Sequence, residues 1–128
     1  MPSTRIETRA GWLGERQADL LEAVQRALVE GIRIPDRDRC VRLHELPASA
    51  MLVPPGRGTE YTVIEISMFK GRSLEAKRRL YGALARELSA FGVAARDLKV
   101  LIHEPDRQNW SVGGVALSDV ELDFKVEV

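Results

Sequence analysis

Two stretches of the chain repeat one another at a spacing of 59 residues. Residues 34–45 read IPDRDRCVRLHE and residues 93–104 read VAARDLKVLIHE, so five of twelve aligned positions are identical. Upstream the spacing becomes 60 residues, and the matching pairs are Gly11 with Gly71, Leu20 with Leu80, and Leu28 with Leu88. Self-similarity at a fixed period is typical of duplicated structural units, and a one-residue slip is what a loop insertion leaves. We therefore expect a fold built from two copies of one unit.

Each copy has the same order of predicted elements. A β-type run (residues 3–8 or 61–68) leads through a glycine-containing turn into a helical pattern of apolar residues, and a second strand follows (residues 40–45 or 98–104). Ser73 is a suitable N-cap for the second helix. A strand, a crossover helix and a parallel strand form a βαβ unit. The sequence thus predicts an α+β fold in which two βαβ units form a four-stranded sheet with both helices on one face.

The remaining segments join or follow the two copies. Residues 47–58 are rich in proline and glycine and read as a linker, and Gly113-Gly114 lies between two short β-type runs that predict a hairpin. We therefore expect a single domain over residues 1–128, with repeat units at about 2–46 and 61–105 and a tail at 106–128. Because two helices cover only one face of the sheet, and a hairpin can pair with a neighbour's edge strand, we also expect a homotrimer.

Composition excludes several classes of partner. Nineteen basic and nineteen acidic residues are interspersed along the chain, which argues against a nucleic acid or membrane partner. The sequence has no apolar run of membrane-spanning length and no secretory signal, so we expect a cytoplasmic protein. The single Cys40 is predicted to be a small, buried, free thiol, and the absence of metal-ligand spacings predicts no metal.

The repeat and several short motifs together resemble the tautomerase superfamily. The motifs are Pro2, IPDRDR at residues 34–39, GRS at residues 71–73, and a tail with EP, NWSVGG and FKV. Members of that family consist of two βαβ units and use an amino-terminal proline that removal of the initiator Met exposes. The resemblance is greatest to the branch that contains malonate semialdehyde decarboxylase. Where that decarboxylase has two arginines two residues apart, this chain has Lys70 and Arg72.

Pro2 is the candidate catalytic base. A free amino-terminal proline carries a secondary amine, whereas the nitrogen of an interior proline is an amide. A free α-amino group titrates near pH 8, and burial or a neighbouring cation lowers its pKa because both disfavour the charged form. A neutral amine at pH 7 is suited to general-base catalysis. The alternative is a terminus at the surface where proline stands by chance.

Four further side chains complete the predicted site. Arg72 is a candidate for bidentate binding of a carboxylate, and Lys70 offers a flexible point charge beside it, although both fit solvated turn residues as well. The resemblance assigns Asp38 to the position of the decarboxylase's catalytic aspartate, while its repetition as Asp97 fits a turn cap. Trp110 is suited either to the wall of a pocket or to a subunit interface. His44 and His103, also repeated, are interpreted as structural.

These residues predict a tautomerase that needs no cofactor and acts on a small keto or enol carboxylic acid. Pro2 would move a proton between carbon and oxygen, Arg72 would hold the carboxylate, and Asp38 would orient substrate or water. One alternative is a lyase or hydratase of the malonate semialdehyde decarboxylase kind, in which a protonated Pro2 polarises the aldehyde carbonyl. A second alternative is a trimeric binding protein without enzymatic activity.

Overall fold

The computed structural model describes residues 2–128. Its strands and helices, in chain order, are β1 (Ser3–Arg9), α1 (Gln17–Ile32), β2 (Val41–Leu46), β3 (Thr62–Ser67), α2 (Leu74–Ser89), β4 (Leu98–His103), β5 (Ser111–Val112) and β6 (Val115–Ala116). The predicted order of elements is confirmed. The observed bounds of β1 to β4 differ from the predicted ones by no more than one residue at either end. As predicted, Ser73 caps α2, because its Oγ accepts the Ala76 N–H at 3.1 Å.

The main sheet has four strands in the order β2-β1-β3-β4. β1 pairs with β2 and β3 pairs with β4 in parallel, as two βαβ units require, while β1 and β3 pair antiparallel about Ile6 and Ile64 at the centre. The two copies are therefore joined through their first strands, and β2 and β4 are the outer strands. This arrangement confirms the predicted fold class.

Both helices pack on one face of the sheet. Side chains alternate along a strand, and every second residue of β1 and β3 is buried beneath α1 and α2. Leu28 of α1 and Leu84 of α2 belong to the same core cluster as Ile6 and Ile64 of the sheet centre. The apolar helix positions at which the two repeats match, Leu20, Leu28, Leu80 and Leu88, belong to this shared core.

The opposite face of the sheet carries a charged network. Arg5 on β1 donates from Nη2 to Glu65 on β3 at 2.8 Å, and Nε2 of His103 on β4 lies 2.9 Å from the other carboxylate oxygen. His103 and Arg5 together lower the pKa of Glu65. Since no helix among residues 2–128 covers this face, its side chains are available for contact with another surface.

Cys40 corrects one expectation from the sequence. We predicted a buried thiol, but the side chain is exposed. Val41 and Leu43 of β2 pack against the helices, so the alternation of a strand turns Cys40 and Arg42 toward the uncovered face. There the Arg42 guanidinium lies 3.3 Å from the Cys40 sulfur.

The tail contains the predicted hairpin and a second, smaller apolar cluster. Gly113 and Gly114 have φ of 62° and 81°, the backbone that a two-residue hairpin turn requires, and they join β5 to β6. The cluster consists of Phe69, Trp110, Leu117, Leu122, Phe124 and Val126. It packs the end of the chain against the turn that follows β3. Within residues 2–128, no helix is long and apolar enough to cross a membrane.

Candidate functional site

The strand pairing brings three separate segments to one end of the sheet. Ser3 pairs with Ser67 at the end of β3, so Pro2, one residue earlier, lies beside the turn that leads into α2. The Thr4 N–H donates to the Cys40 carbonyl at 3.0 Å, which ties the same end of β1 to the segment just before β2. Pro2 is buried between these segments. The register thus gathers Pro2, the loop containing Asp38, and the turn containing Lys70 and Arg72.

Arg72 directly follows Gly71, whose left-handed backbone conformation favours glycine. Gly71 has φ of 122°, and a Cβ there would lie 3.1 Å from Val126 of the tail. The chain thereby turns Arg72 inward, where its side chain is only 5% exposed. Burial lowers the pKa of Arg72, and the negative charges of Glu104 and Asp38 act in the opposite direction. The guanidinium therefore stays within the electrostatic reach of both carboxylates.

The hydrogen bonds of Arg72 leave part of its guanidinium unused. Nε donates to the Ile32 carbonyl and Nη1 to the Phe69 carbonyl, both at a long 3.4 Å. Nη2 is buried and has no hydrogen-bond partner among residues 2–128. A buried donor without a partner is costly to a folded protein, so each such group calls for an explanation. A carboxylate is the anion that an arginine fork fits best, together with phosphate.

Asp38 lies on the loop between α1 and β2. Its backbone N–H donates to the Pro35 carbonyl at 3.0 Å, which closes a turn, and its side chain is partly buried. A cavity of about 280 Å³ opens at this loop. The residues that line it are Pro35, Arg37, Asp38, Asp123 and Phe124. This volume is close to the lower end of ordinary ligand pockets and suits a small acid.

The repeat partner of Asp38 has a structural task. Asp97 is only 3% exposed, and its Oδ1 accepts the N–H of Gly58 at 3.0 Å, which fastens the end of the linker. A Cβ at position 58 would lie 2.8 Å from Oδ2 of Asp97, so a side chain there would require this carboxylate to shift. The carboxylate of Asp38 interacts instead with the charge of Arg72. The two aspartates thus share a sequence position but differ in surroundings.

Lys70 and Trp110 differ from Arg72 because their side-chain nitrogens already have partners within the chain. Lys70 Nζ lies 2.7 Å from Asp106 Oδ1 in an exposed ion pair, and Asp106 raises the pKa of Lys70. The Trp110 ring packs edge-on against Phe69, with centroids 5.3 Å apart, and its Nε1 donates to the Pro105 carbonyl at 3.3 Å. Trp110 therefore supports the turn before Arg72 from the tail side.

Sequence reasoning did not include three residues that the structure places around Asp38. Phe124 and Asp123 line the cavity, and Asp123 forms an exposed ion pair with Arg37. Gln25 of α1 donates to the Asp38 carbonyl. The FKV motif was a signal for Phe124, whereas no local pattern marks Asp123 or Gln25. Among residues 2–128, no three His, Cys, Asp or Glu side chains are grouped to hold a metal ion.

Comparisons with known proteins agree with this architecture. The profile of the family described as "Tautomerase enzyme" matches residues 38–113. The probable tautomerase YrdN of Bacillus subtilis (strain 168) is 33% identical over 118 residues, which cover 88% of this chain and 92% of that protein. The 2-hydroxymuconate tautomerase of Comamonas testosteroni is 32% identical over 57 residues, which cover 44% of this chain and 90% of the relative.

A solved structure provides a full-length comparison. FG41 malonate semialdehyde decarboxylase, crystallised as inhibited by 3-bromopropiolate, superposes with a TM-score of 0.80 and is 31% identical. The match covers 89% of this chain and 92% of that chain. The family match spans more than half of the sequence, and both YrdN and the FG41 decarboxylase, each above 30% identity, align over nearly its whole length. The chain therefore belongs to the tautomerase superfamily.

Proposed function

We propose that this protein is a tautomerase that needs no cofactor and acts on a small keto or enol carboxylic acid. The observation that supports it most is the buried Nη2 of Arg72, which has no partner among the described residues and lies at the same end of the sheet as Pro2. A substrate carboxylate supplies the missing acceptor. The negative charge of Asp38 acts on the Arg72 guanidinium and opposes the lowering of its pKa by burial, which supports a shared site.

The proposed reaction moves one proton between oxygen and carbon. The neutral nitrogen of Pro2 accepts the enol O–H proton, the oxygen electron pair forms the carbonyl, and the former double bond takes a proton at carbon from the prolinium. Pro2 returns to its neutral form, so no cofactor is consumed. Arg72 holds the carboxylate throughout, and Asp38 orients the substrate or a water molecule. Positioning of this kind and general-base catalysis are the two effects that this site would combine.

The mechanism requires Pro2 to be the first residue. An amide nitrogen has no basicity, so the initiator Met must be removed in the active protein. Met1 lies outside the described residues, and its removal is part of the proposal. Intact mass spectrometry of an active preparation measures it directly.

A decarboxylase is the second candidate, and the full-length similarity to FG41 malonate semialdehyde decarboxylase favours it. In this reaction a protonated Pro2 polarises the carbonyl of a 3-oxo acid, and Arg72 and Lys70 bind the carboxylate that leaves as carbon dioxide. The pair of Lys70 with Asp106 weighs against it, because Asp106 already compensates the second cation. The two candidates therefore differ in the charge of Pro2 and in the use of Lys70.

Three substrates distinguish these candidates. We expect the processed protein to accelerate ketonisation of phenylenolpyruvate and of 2-hydroxymuconate, followed by ultraviolet absorbance, and to release little carbon dioxide from malonate semialdehyde. Rapid release of carbon dioxide without ketonisation would support the decarboxylase. Binding of these acids without turnover of any of them would support a binding protein.

We also propose that the protein assembles as a homotrimer. β2 and β4 are outer strands with free edges, the tail hairpin presents half-exposed Val112 and Val115, and Leu52 of the linker is 99% exposed. A free strand edge can pair with another chain, and a contiguous exposed apolar patch is typical of an interaction surface. Light scattering is expected to give three times the 14.3 kDa mass of one chain. A mass of one chain at micromolar concentration would contradict the proposal.

A further inference from the structure

One polar side chain is buried on the inner face of α1. Gln25 is only 2% exposed and stands among apolar residues that pack against the sheet. A buried amide is unfavourable unless hydrogen bonds replace those that it made to water. The hydrogen bonds of Gln25 therefore indicate the role of this buried amide.

The amide of Gln25 holds the loop that carries Asp38. Its Nε2 donates to the Asp36 carbonyl at 3.3 Å and to the Asp38 carbonyl at 3.2 Å. The Asp38 N–H donates in turn to the Pro35 carbonyl at 3.0 Å. Oε1 of Gln25 is buried without a partner among residues 2–128, so only the donor end of the amide is used. Three hydrogen bonds thus fix the backbone on both sides of Asp38.

The second repeat shows what the loop looks like without this amide. At the spacing of 60 residues, Gln25 aligns with Ala85, which has no side-chain donor. The loop of the second copy is held differently, because the carboxylate of Asp97 itself accepts the Gly58 N–H. In the first copy the Gln25 amide holds the loop through the backbone carbonyls of Asp36 and Asp38.

We propose that Gln25 is a positioning residue that fixes the loop at Asp38 and so sets the direction of the Asp38 carboxylate toward the substrate. The role rests on the proposed function of Asp38. Gln25 itself touches no substrate, and its effect is transmitted through two backbone carbonyls. Neighbours that orient a reacting group commonly change activity about 10- to 100-fold when they are removed, as measured at metal sites.

The test uses Gln25→Met, which keeps the length of the side chain and removes the donor. Amide hydrogen exchange measures the loop without any assay of activity. We expect the exchange of the Asp38 N–H to rise about tenfold or more in Gln25→Met, since local opening controls such protection. The exchange of core amides such as Ile64 should not change. Leu20→Met, at an equally buried position of the same helix, is the matched control and should leave the loop protected.

A double-mutant cycle measures the link to Asp38. With phenylenolpyruvate, we expect Gln25→Met to lower kcat about 10- to 100-fold with little change in KM, and to have less than about a twofold effect when Asp38 is already Asn. Equal losses in both backgrounds, or unchanged exchange of the Asp38 N–H, would overturn the role of Gln25 alone. If Asp38→Asn leaves kcat unchanged, the role of Asp38 in the proposed function fails together with it.

Discussion

Insertion of one alanine between Met1 and Pro2 is expected to lower kcat by about two to four orders of magnitude, the usual contribution of a general base. The insertion leaves the side chain and ring of Pro2 in the sequence but makes its nitrogen an amide, which cannot accept a proton. Because Ser3 begins β1, the extra residue lies outside the sheet and leaves the pairing of β1 with β3 in place. The rate of ketonisation of phenylenolpyruvate is the measurement.

Pro2→Ala is the control for this variant. It keeps a terminal amine, although a primary one without the ring, and should retain more activity than the insertion does. Circular dichroism and thermal unfolding should show that both variants fold. An insertion variant with wild-type kcat would show that the Pro2 nitrogen takes no part in proton transfer.

Replacement of Arg72 by Met is expected to lower kcat/KM about 10- to 100-fold, since hydrogen bonds to charged groups contribute about 1.5–3 kcal/mol each. The same change removes a buried charge whose own hydrogen bonds are long, so the melting temperature should not fall below that of the wild type. A loss of activity without a loss of stability is the mark of a residue kept for function.

Two further variants separate charge from geometry. Arg72→Lys keeps a positive charge but loses the planar fork, so it should recover only part of the activity. Lys70→Ala removes an exposed cation that Asp106 already compensates, and we expect a smaller effect, about threefold or less, because exposed ion pairs contribute little. If Lys70→Ala costs more than Arg72→Met, the carboxylate has been assigned to the wrong cation.

The main features of the fold were predictable because the same local sequence patterns occur in both repeats. The apolar spacing around Leu20 and Leu80, the glycine turns and the proline-rich linker each specify structure over a few residues, and the repeat shows that they form one unit. Cys40 was wrongly predicted because its side chain faces the side of the sheet that the helices leave open. The direction of the Cys40 side chain follows from the inward packing of its neighbour Val41. The general preference of cysteine for burial takes no account of that neighbour.

The site was less predictable because its interactions join residues far apart in sequence. Asp38 and Asp97 occupy equivalent positions of the repeat, but in the folded chain Gly58 lies next to Asp97 whereas Gln25 holds the loop at Asp38. The pairing of Lys70 with Asp106 and the burial of the Arg72 guanidinium likewise depend on how the tail folds back over the turn after β3. Only the resemblance to a known family indicated a role for Pro2, because proline is common enough in proteins to occur at position 2 by chance.

The most direct test of the proposal that Pro2 is a neutral base at pH 7 is titration of ¹⁵N-labelled Pro2 by NMR in the processed protein. In the proposed site, burial and the positive charge of Arg72 would disfavour the protonated amine and lower its pKa, whereas the negative charge of Asp38 would favour the protonated form and raise it. We expect a pKa below the value of about 8 for a free α-amino group, and a further decrease in Asp38→Asn. A wild-type pKa clearly above 8 that falls toward 8 in Asp38→Asn would contradict the tautomerase and support the decarboxylase.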